Sequence, residues 1–303
     1  MTSAPDIVGI GVCTVDHLVT VPRMPLRNEN MRALNYARQP GGLASCSLVA
    51  AARLGARTRI IARIGDDALG EYIRQDLRSE GVDVSLLLEE AGSESHVSVI
   101  LVDERTGDRS IITRPPTGSA IRPTEITRAD LEGAQVLFVD NITTATLQLA
   151  AWAREAGMKV VLDPAQPYAD IKPLLALVDV PIVPEHWARA WLPGQPPEAA
   201  ARRLFDAGAE IAVVTLGERG AAVCWDGGLR RFPAYAVDVV DTTGAGDAYH
   251  GAFMYALLQG WDVPRMADFA SAVGSLNCRA MGGRSALPTR AEVDQFMLRA
   301  NQS

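Results

Sequence analysis

Short runs of hydrophobic residues alternate along the chain with longer segments in which apolar and polar positions recur at a helical spacing. The apolar runs predict β-strands over residues 7–12, 58–64, 135–140, 159–163 and 210–217. The segments between them predict helices over residues 43–56, 67–81, 144–157 and 197–209. Strands that are apolar on both faces and alternate with helices indicate a mostly parallel sheet. We therefore predict an α/β fold with a central sheet flanked by helices, in which ligands bind at the carboxyl ends of the strands.

Two segments interrupt this alternation, at about residues 14–39 and 95–116. Both look like strands joined by turns and contain no helical pattern. The second segment predicts a β-hairpin whose turn lies at residues 105–108. The pattern alone leaves two interpretations open, a lid over a ligand site or a pair of surface hairpins without a role in binding.

Composition and charge exclude several classes of protein. The 303 residues are 48% hydrophobic, and the formal net charge of −7 comes from intermixed acids and bases without a basic block. A nucleic-acid partner is therefore not expected, and no apolar stretch has the length needed to cross a membrane. The four cysteines are far apart and no signal peptide precedes them, so we expect reduced thiols in the cytoplasm. They are Cys13, Cys46, Cys224 and Cys278.

The segment around Asp247 combines glycines with an acid at the start of a predicted helix. Gly244 and Gly246 allow a close approach of the backbone, and a helix that begins near Ala245 directs unpaired N–H groups and its positive dipole end toward the loop. Such a terminus attracts phosphate. The dipole would keep the Asp247 carboxylate ionised and able to accept a proton. This arrangement suits the transfer of a phosphoryl group to a hydroxyl group.

A purely structural interpretation of the same segment stays open. Thr242 or Thr243 could be an ordinary N-cap, and acids favour the first turn of a helix for dipole reasons alone. The next eleven residues, 248–258, are apolar almost all round, which predicts a buried helix. A buried helix rarely carries an acid at its start without a role for it, which favours the functional interpretation.

Two glycines at a second helix start are also candidates for ligand binding. Gly41 and Gly42 would let a ligand lie against bare backbone, and Asp16 follows the first strand, where it could bind sugar hydroxyl groups. A plain strand-to-helix turn and a solvated aspartate explain these residues equally well. Motifs of other classes are missing: there is no P-loop, no complete dinucleotide fingerprint and no nucleophile elbow. The histidines lack ligand spacing and are expected to be ordinary surface or core residues: His17, His96, His186 and His250.

Two stretches resemble the signatures of the ribokinase-like, or PfkB, carbohydrate kinases. They are residues 40–85, beginning PGGLASCS, and residues 239–253, VVDTTGAGDAYHGAF. The similarity extends from about residue 6 to 298, and the ketohexokinase and sulfofructose kinase branches are the most similar, notably through GAGDAYHGA and CRAMGGRSALP. The resemblance implies a three-layer fold in a single domain over residues 1–303, with a small β lid that often forms a dimer interface. It also implies ATP and Mg²⁺, and it leaves room for a monovalent cation such as K⁺.

The resemblance assigns roles to individual positions. The catalytic base and the anion hole correspond to Asp247, Gly244, Ala245 and Gly246. The sugar-contacting positions correspond to Asp16, Gly41, Gly42 and Cys46, with Arg114 as the nearest lid cation. The nucleotide-binding positions correspond to Thr215, Gly217, Gly220, Asn277 and Gly282.

Some positions depart from the family pattern. Cys46 replaces an asparagine that binds sugar in ribokinase, and Leu43 replaces a neighbouring lysine. The NxxE motif that many members use near Mg²⁺ is replaced by residues 185–188, so the metal ligands are unknown. We expect an ATP-dependent kinase that prefers a ketose or a related sugar derivative and forms a homodimer through the lid. The alternatives are a nucleoside kinase of the same fold and a non-catalytic sugar-binding regulatory protein.

Overall fold

The computed structural model describes residues 4–107, 109–164 and 171–300. Its strands are β1 (Ile7–Ile10), β2 (Thr14–Val21), β3 (Asn35–Gly41), β4 (Thr58–Gly65), β5 (Asp83–Glu90), β6 (Val97–Asp103), β7 (Arg109–Arg114), β8 (Val136–Val139), β9 (Lys159–Leu162), β10 (Val180–Pro184), β11 (Ile211–Thr215), β12 (Ala221–Trp225) and β13 (Gly228–Phe232). Its α-helices are α1 (Leu43–Arg53), α2 (Ala68–Ser79), α3 (Thr144–Glu155), α4 (Lys172–Leu175), α5 (Glu185–Trp191), α6 (Pro197–Asp206), α7 (Ala245–Leu258), α8 (Val263–Asn277) and α9 (Arg290–Ala300).

In the described part of the chain, nine strands form the central sheet, in the spatial order β13-β12-β11-β10-β9-β8-β1-β4-β5. The pairs from β11 across to β5 are parallel, whereas β12 pairs antiparallel with both β11 and the edge strand β13. The predicted α/β fold with a mostly parallel sheet is therefore confirmed. The strand β5, the strand β10 and the buried helix α8 were not predicted from the sequence.

Hydrophobic side chains bury both faces of this sheet. Successive strand residues point to opposite faces, so Leu137 and Phe138 of β8 belong to two different core clusters. One cluster contains Phe253 of α7 with residues of α1 and α8, and the other contains Leu149 of α3 and Trp187 of α5. Helices thus cover the sheet on both sides, which leaves the strand ends for ligand binding.

The two segments without helical pattern pair with each other in a second sheet, in the order β3-β2-β6-β7. The strand β2 pairs antiparallel with β3 and parallel with β6, and β6 pairs antiparallel with β7 in the predicted hairpin. One end of the predicted turn, Asp108, lies outside the described residues. On the inner face of this lid sheet, Leu18, Ile100 and Val102 pack on Met281 of the main body.

The structure also describes the cysteines and the apolar character of the helices. All four cysteines are buried and free. No helix in residues 4–107, 109–164 and 171–300 combines the length and the apolar character of a membrane span.

Candidate active site

The start of helix α7 has an open N-terminus. Gly244 occupies the cap position with φ 73°, and a Cβ atom there would lie 2.5 Å from the carbonyl oxygen of Gly283, so only glycine fits. Thr243 does not cap the helix, because its hydroxyl donates to Asp241 at 2.8 Å. Within the described part of the chain, no acceptor bonds the N–H groups of Gly246 and Asp247. These groups remain available to an anion, as the sequence predicted.

The Asp247 carboxyl group is half-buried beside these amides. No residue of the described ranges donates a hydrogen bond to it. Burial, and next the charge of Asp163, raise the pKa of Asp247 well above its ordinary value, while Arg109 opposes the shift. Desolvation therefore opposes the ionised form, which the helix dipole was expected to favour. A raised pKa also makes the ionised carboxylate a stronger base.

Two buried side chains, those of Asp241 and Asn277, hold the loop that leads into α7. Asp241 accepts hydrogen bonds from Thr243 N at 2.9 Å and from Gly282 N at 2.8 Å. Asn277 donates its amide to the carbonyl oxygens of Thr243 and Gly283, each at 3.2 Å. The loop and the segment 281–284 are thus fixed to each other. The two predicted nucleotide contacts Asn277 and Gly282 both bond to this loop, and neither lines the cavity of about 480 Å³ beside the start of α7.

The predicted acceptor residues come together around Asp16 of β2. Asp16 is buried, accepts a hydrogen bond from Thr14 Oγ1 at 2.6 Å, and has a pKa raised by burial. A Cβ atom on Gly41 would lie 1.9 Å from its Oδ2, so glycine is required for this close approach. Gly42 has φ 102°, and a Cβ atom there would lie 2.4 Å from the oxygen of Val12. At both positions a side chain would clash with its surroundings, so the need for glycine goes beyond that of an ordinary turn.

Cys46 lies in the first turns of α1, close to the loop before α7. It is buried, and burial raises the pKa of its thiol to about 12, so the group is a neutral thiol. Its sulfur accepts a hydrogen bond from Arg284 Nε at 3.3 Å. Arg284 is itself buried, donates to Ser45 Oγ at 2.7 Å and forms an ion pair with Asp76. Apart from its place in the CRAMGGRSALP stretch, no sequence pattern marked this arginine.

Asp140 is a further site residue that the sequence interpretation missed. It follows β8, is 1% exposed, and its Oδ2 accepts hydrogen bonds from Val12 N at 2.8 Å and Ala44 N at 3.0 Å. The carboxyl group thus caps helix α1 from a different strand. Burial raises its pKa to about 7. An acid at the end of a buried strand run was the available signal, because strand ends meet at the ligand-binding edge.

The two arginines at the ends of β7 have different partners. Arg114 donates to Glu94 Oε2 at 2.6 Å and to the Ser95 oxygen at 3.0 Å, so it is engaged within the lid. Arg109, at the other end of β7, donates to Thr242 Oγ1 at 2.9 Å and lies close enough to Asp247 to affect its pKa. The structure therefore brings Arg109, and not Arg114, to the loop before α7.

A cavity of about 480 Å³ opens beside the start of α7. Its volume is that of an ordinary small-molecule site. Three predicted nucleotide residues line it together with the first turn of α7. The lining residues include Thr215, Gly217, Gly220, Val237, Thr242, Ala245, Gly246, Tyr249, Ser275 and Cys278.

The segment that replaces the NxxE motif carries ion pairs. Glu185 pairs with Arg189 at 2.8 Å and with Arg219, and these partners, Arg219 first, lower its pKa. Ala188 is buried and offers no ligand atom. Residues 4–107, 109–164 and 171–300 contain no group of three or more His, Cys, Asp or Glu side chains that could hold a metal ion. The chain therefore offers no preformed metal cage in this part.

Comparison with known sequences gives full-length matches. The family model described as pfkB family carbohydrate kinase matches residues 4–290. A ribokinase of Haemophilus influenzae is 29% identical over 298 residues, which cover 95% of this chain and 97% of the relative. An ATP-dependent ribose-1-phosphate kinase of Halopiger xanaduensis is 30% identical over 296 residues, covering 96% and 97%. A deoxyribokinase of Salmonella typhi is 27% identical over 302 residues, covering 96% and 98%.

Solved structures show the same fold. A putative ribokinase from Agrobacterium tumefaciens superposes with a TM-score of 0.89 at 24% identity, covering 99% of this chain and all of the other. A ribokinase of Arabidopsis thaliana complexed with ribose and ATP superposes with a TM-score of 0.84 at 25% identity, covering 97% and 99%.

Proposed function

Because the chain belongs to the pfkB family of carbohydrate kinases, we propose that it transfers the γ-phosphoryl group of ATP to a primary hydroxyl group of a small sugar. Membership makes it a phosphotransferase that acts on an alcohol group. The observation that carries the proposal is the first turn of α7. There Gly246 lines the cavity together with Thr215 and Gly217, and the Asp247 carboxyl group lies close enough to Asp16 for the charge of Asp16 to raise its pKa.

Each part of the site has a role in this reaction. Asp16 and the backbone at Gly41 and Gly42 bind sugar hydroxyl groups and orient one of them toward Asp247. The Asp247 carboxylate accepts the proton of that hydroxyl as it attacks. The N–H groups of the first turn bind the transferring group and stabilise its negative charge. The lid covers the acceptor and limits the entry of water.

ATP bound with Mg²⁺ is the proposed donor. The Arabidopsis ribokinase is complexed with ATP, and a structure of a putative ribokinase II from E. coli, at 20% identity, contains ATP and Mg²⁺. Mg²⁺ commonly keeps several waters and binds substrate phosphates, which is compatible with a chain that has no cage of its own in the described residues. When bound, it would neutralise phosphate charge. We also propose that K⁺ accelerates the transfer reaction and that the protein is located in the cytoplasm.

A pentose is the proposed acceptor in place of the expected ketose. The relatives compared above are named for ribose, deoxyribose or ribose 1-phosphate, which does not support the ketohexokinase or sulfofructose kinase branches. Cys46 supplies a weak hydrogen-bonding group and Leu43 none, so this wall of the site makes fewer polar contacts than an asparagine and a lysine would. Fewer contacts favour a sugar with fewer hydroxyl groups, such as 2-deoxyribose.

The test is ADP formation with ATP and Mg²⁺ against ribose, 2-deoxyribose, ribose 1-phosphate, fructose, sulfofructose and adenosine. We expect the highest kcat/KM with ribose or 2-deoxyribose, and a roughly 10²- to 10⁴-fold lower kcat in Asp247→Asn. Turnover confined to fructose or sulfofructose would restore the ketose assignment, and turnover confined to adenosine would indicate a nucleoside kinase. Tight sugar binding by calorimetry without any turnover would show a non-catalytic binding protein.

A further inference from the structure

His250 lies within the buried helix α7, one turn after Gly246, and 3% of its surface is exposed. Each of its two ring nitrogens faces a backbone carbonyl oxygen. Nδ1 lies 2.8 Å from the oxygen of Gly246, and Nε2 lies 3.0 Å from the oxygen of Ile182 in β10. Both distances are those of well-formed N–H···O hydrogen bonds.

The chemistry of these contacts fixes the number of ring protons. A carbonyl oxygen can only accept, and a neutral imidazole has one N–H group and one lone pair. In either neutral tautomer, one lone pair would point at a carbonyl oxygen in a site that water does not reach. An imidazolium ion donates to both oxygens. We propose that His250 is held as an imidazolium ion and acts as a positioning residue for the phosphoryl-transfer site; the second half rests on the kinase function proposed above.

A buried cation needs a countercharge, and the surrounding elements provide it. The carboxyl group of Asp163, directly after β9, lies 3.6 Å from Nδ1 and is also buried. Two further acids belong to the same charged cluster as His250 and Asp163, namely Asp140 after β8 and Asp247 on α7 itself. Arg109 reaches this cluster from the lid. The ring of Phe138 in β8 meets the imidazole edge-on, with the centroids 5.7 Å apart. The cluster around His250 thus contains three acids and one arginine, and this excess of acids favours a positive charge on His250.

The position of the cation connects it to the transfer site. The carbonyl of Gly246 belongs to the same peptide unit as the N–H of Asp247, one of the open amides. Donation to that carbonyl polarises the peptide and strengthens the N–H as a donor to an anion. The positive charge also opposes the effect of Asp163 on Asp247. The bond from Nε2 to Ile182 fixes the helix start to the sheet.

The protonation state is tested by NMR on the unliganded wild-type protein labelled with ¹⁵N-histidine, at pH 7.5. The chain has four histidines, and His250 is assigned with His250→Asn or by elimination with His17→Asn, His96→Asn and His186→Asn. We expect both ring nitrogens of His250 to show protonated-type shifts. The pattern of a neutral tautomer would overturn the proposal, and this measurement does not depend on any kinase activity.

The positioning role is tested by the pH dependence of kcat/KM in His250→Asn, which retains one donor but no charge. Without the cation, Arg109 alone opposes the effect of Asp163 on Asp247, so we expect the acidic limb to move up by about one pH unit, a roughly 10-fold loss on that limb. Met254→Leu, a buried change on the same helix, controls for packing and should keep the wild-type limb. An unshifted limb in a folded His250→Asn variant would refute the positioning role.

Discussion

Among single residues, Asp247 in its proposed role as the base should set the pH range of the reaction. Burial and the neighbouring Asp163 raise its pKa, so it binds a proton more readily than an ordinary carboxyl group. Only the ionised form can accept the acceptor's proton. We therefore predict that kcat/KM falls as the pH is lowered, with its acidic limb well above the pKa of about 4 of a free aspartic acid. A profile flat down to pH 5 would contradict this. Rates are measured from pH 5 to 9 with saturating ATP.

Replacing Asp247 by Asn separates its role in catalysis from a structural one. The amide keeps the size of the side chain but cannot accept the proton. We expect a roughly 10²- to 10⁴-fold loss in kcat, with ATP affinity measured by calorimetry close to wild type, because the N–H groups of Gly246 and the cavity remain. A variant with near-wild-type kcat would show that the acid only stabilises the helix.

The same substitution should also stabilise the protein at neutral and alkaline pH. A carboxyl group whose folded-state pKa is raised favours folding at low pH, and this contribution is lost as the pH rises through the folded-state pKa. Asn has no charge to desolvate, so we expect Asp247→Asn to raise the free energy of unfolding by ~1 kcal/mol at pH 8. The gain should shrink toward pH 4. Urea unfolding at the two pH values measures it, and a gain that grows toward low pH would contradict the assignment.

Single residues also show what the sequence could reveal. Asp247, Gly244 and Gly246 lie in one short stretch, so local physical chemistry was enough to find them. Arg109 and Thr242 are 133 positions apart, and Cys46 and Arg284 are 238 apart. Those contacts depend on how the lid and the C-terminal segment fold back, which no local pattern encodes. Asp140 could have been found from the sequence, because it lies at the end of a predicted strand. Its capping of α1 could not have been found in this way.

Among the structural elements, the start of α1 depends on one backbone conformation. Gly42 and Gly55 flank this helix with nearly the same positive φ, 102° and 110°, but only Gly42 faces backbone where a Cβ would lie. Alanine at either position should cost ~1 kcal/mol of strain, and Gly42→Ala should cost at least about 2 kcal/mol more through its clash with Val12. Thermal unfolding of both variants tests this, and equal losses would show that the loop relaxes.

The lid strand β7 begins at Arg109, the arginine that reaches the loop before α7. Arg109→Gln removes the cation near Asp247 and weakens the bond to Thr242, so we expect kcat/KM to fall about 10-fold. Arg114→Gln is the matched control, because Arg114 is exposed and paired with Glu94, and such surface pairs contribute little to stability. A loss in Arg114→Gln and none in Arg109→Gln would restore the assignment made from the sequence.

On the scale of the whole molecule, the lid sheet exposes hydrophobic residues and an unpaired strand edge. All six residues of the edge strand β7 are exposed, including Ile111 and Ile112, which point to opposite faces of the lid sheet. Tyr36, on the other edge strand, is 58% exposed. Exposed edge strands pair with other chains unless they are covered. We therefore predict that two copies of the chain pair through their lids.

Sedimentation at micromolar concentration tests this assembly with two matched variants. Ile112 and Leu298 are equally exposed, at 62% each, but Ile112 lies on the lid and Leu298 on α9. We expect a homodimer for the wild type and for Leu298→Asp, and a monomer for Ile112→Asp, because a buried charge without a partner opposes association. If the copies paired through α9, Leu298→Asp would be the monomer and Ile112→Asp the dimer. A monomeric wild type would exclude the dimer. Since the lid also carries Arg109, a monomeric Ile112→Asp variant should have a raised KM for the sugar, as its lid loses the support of the second copy.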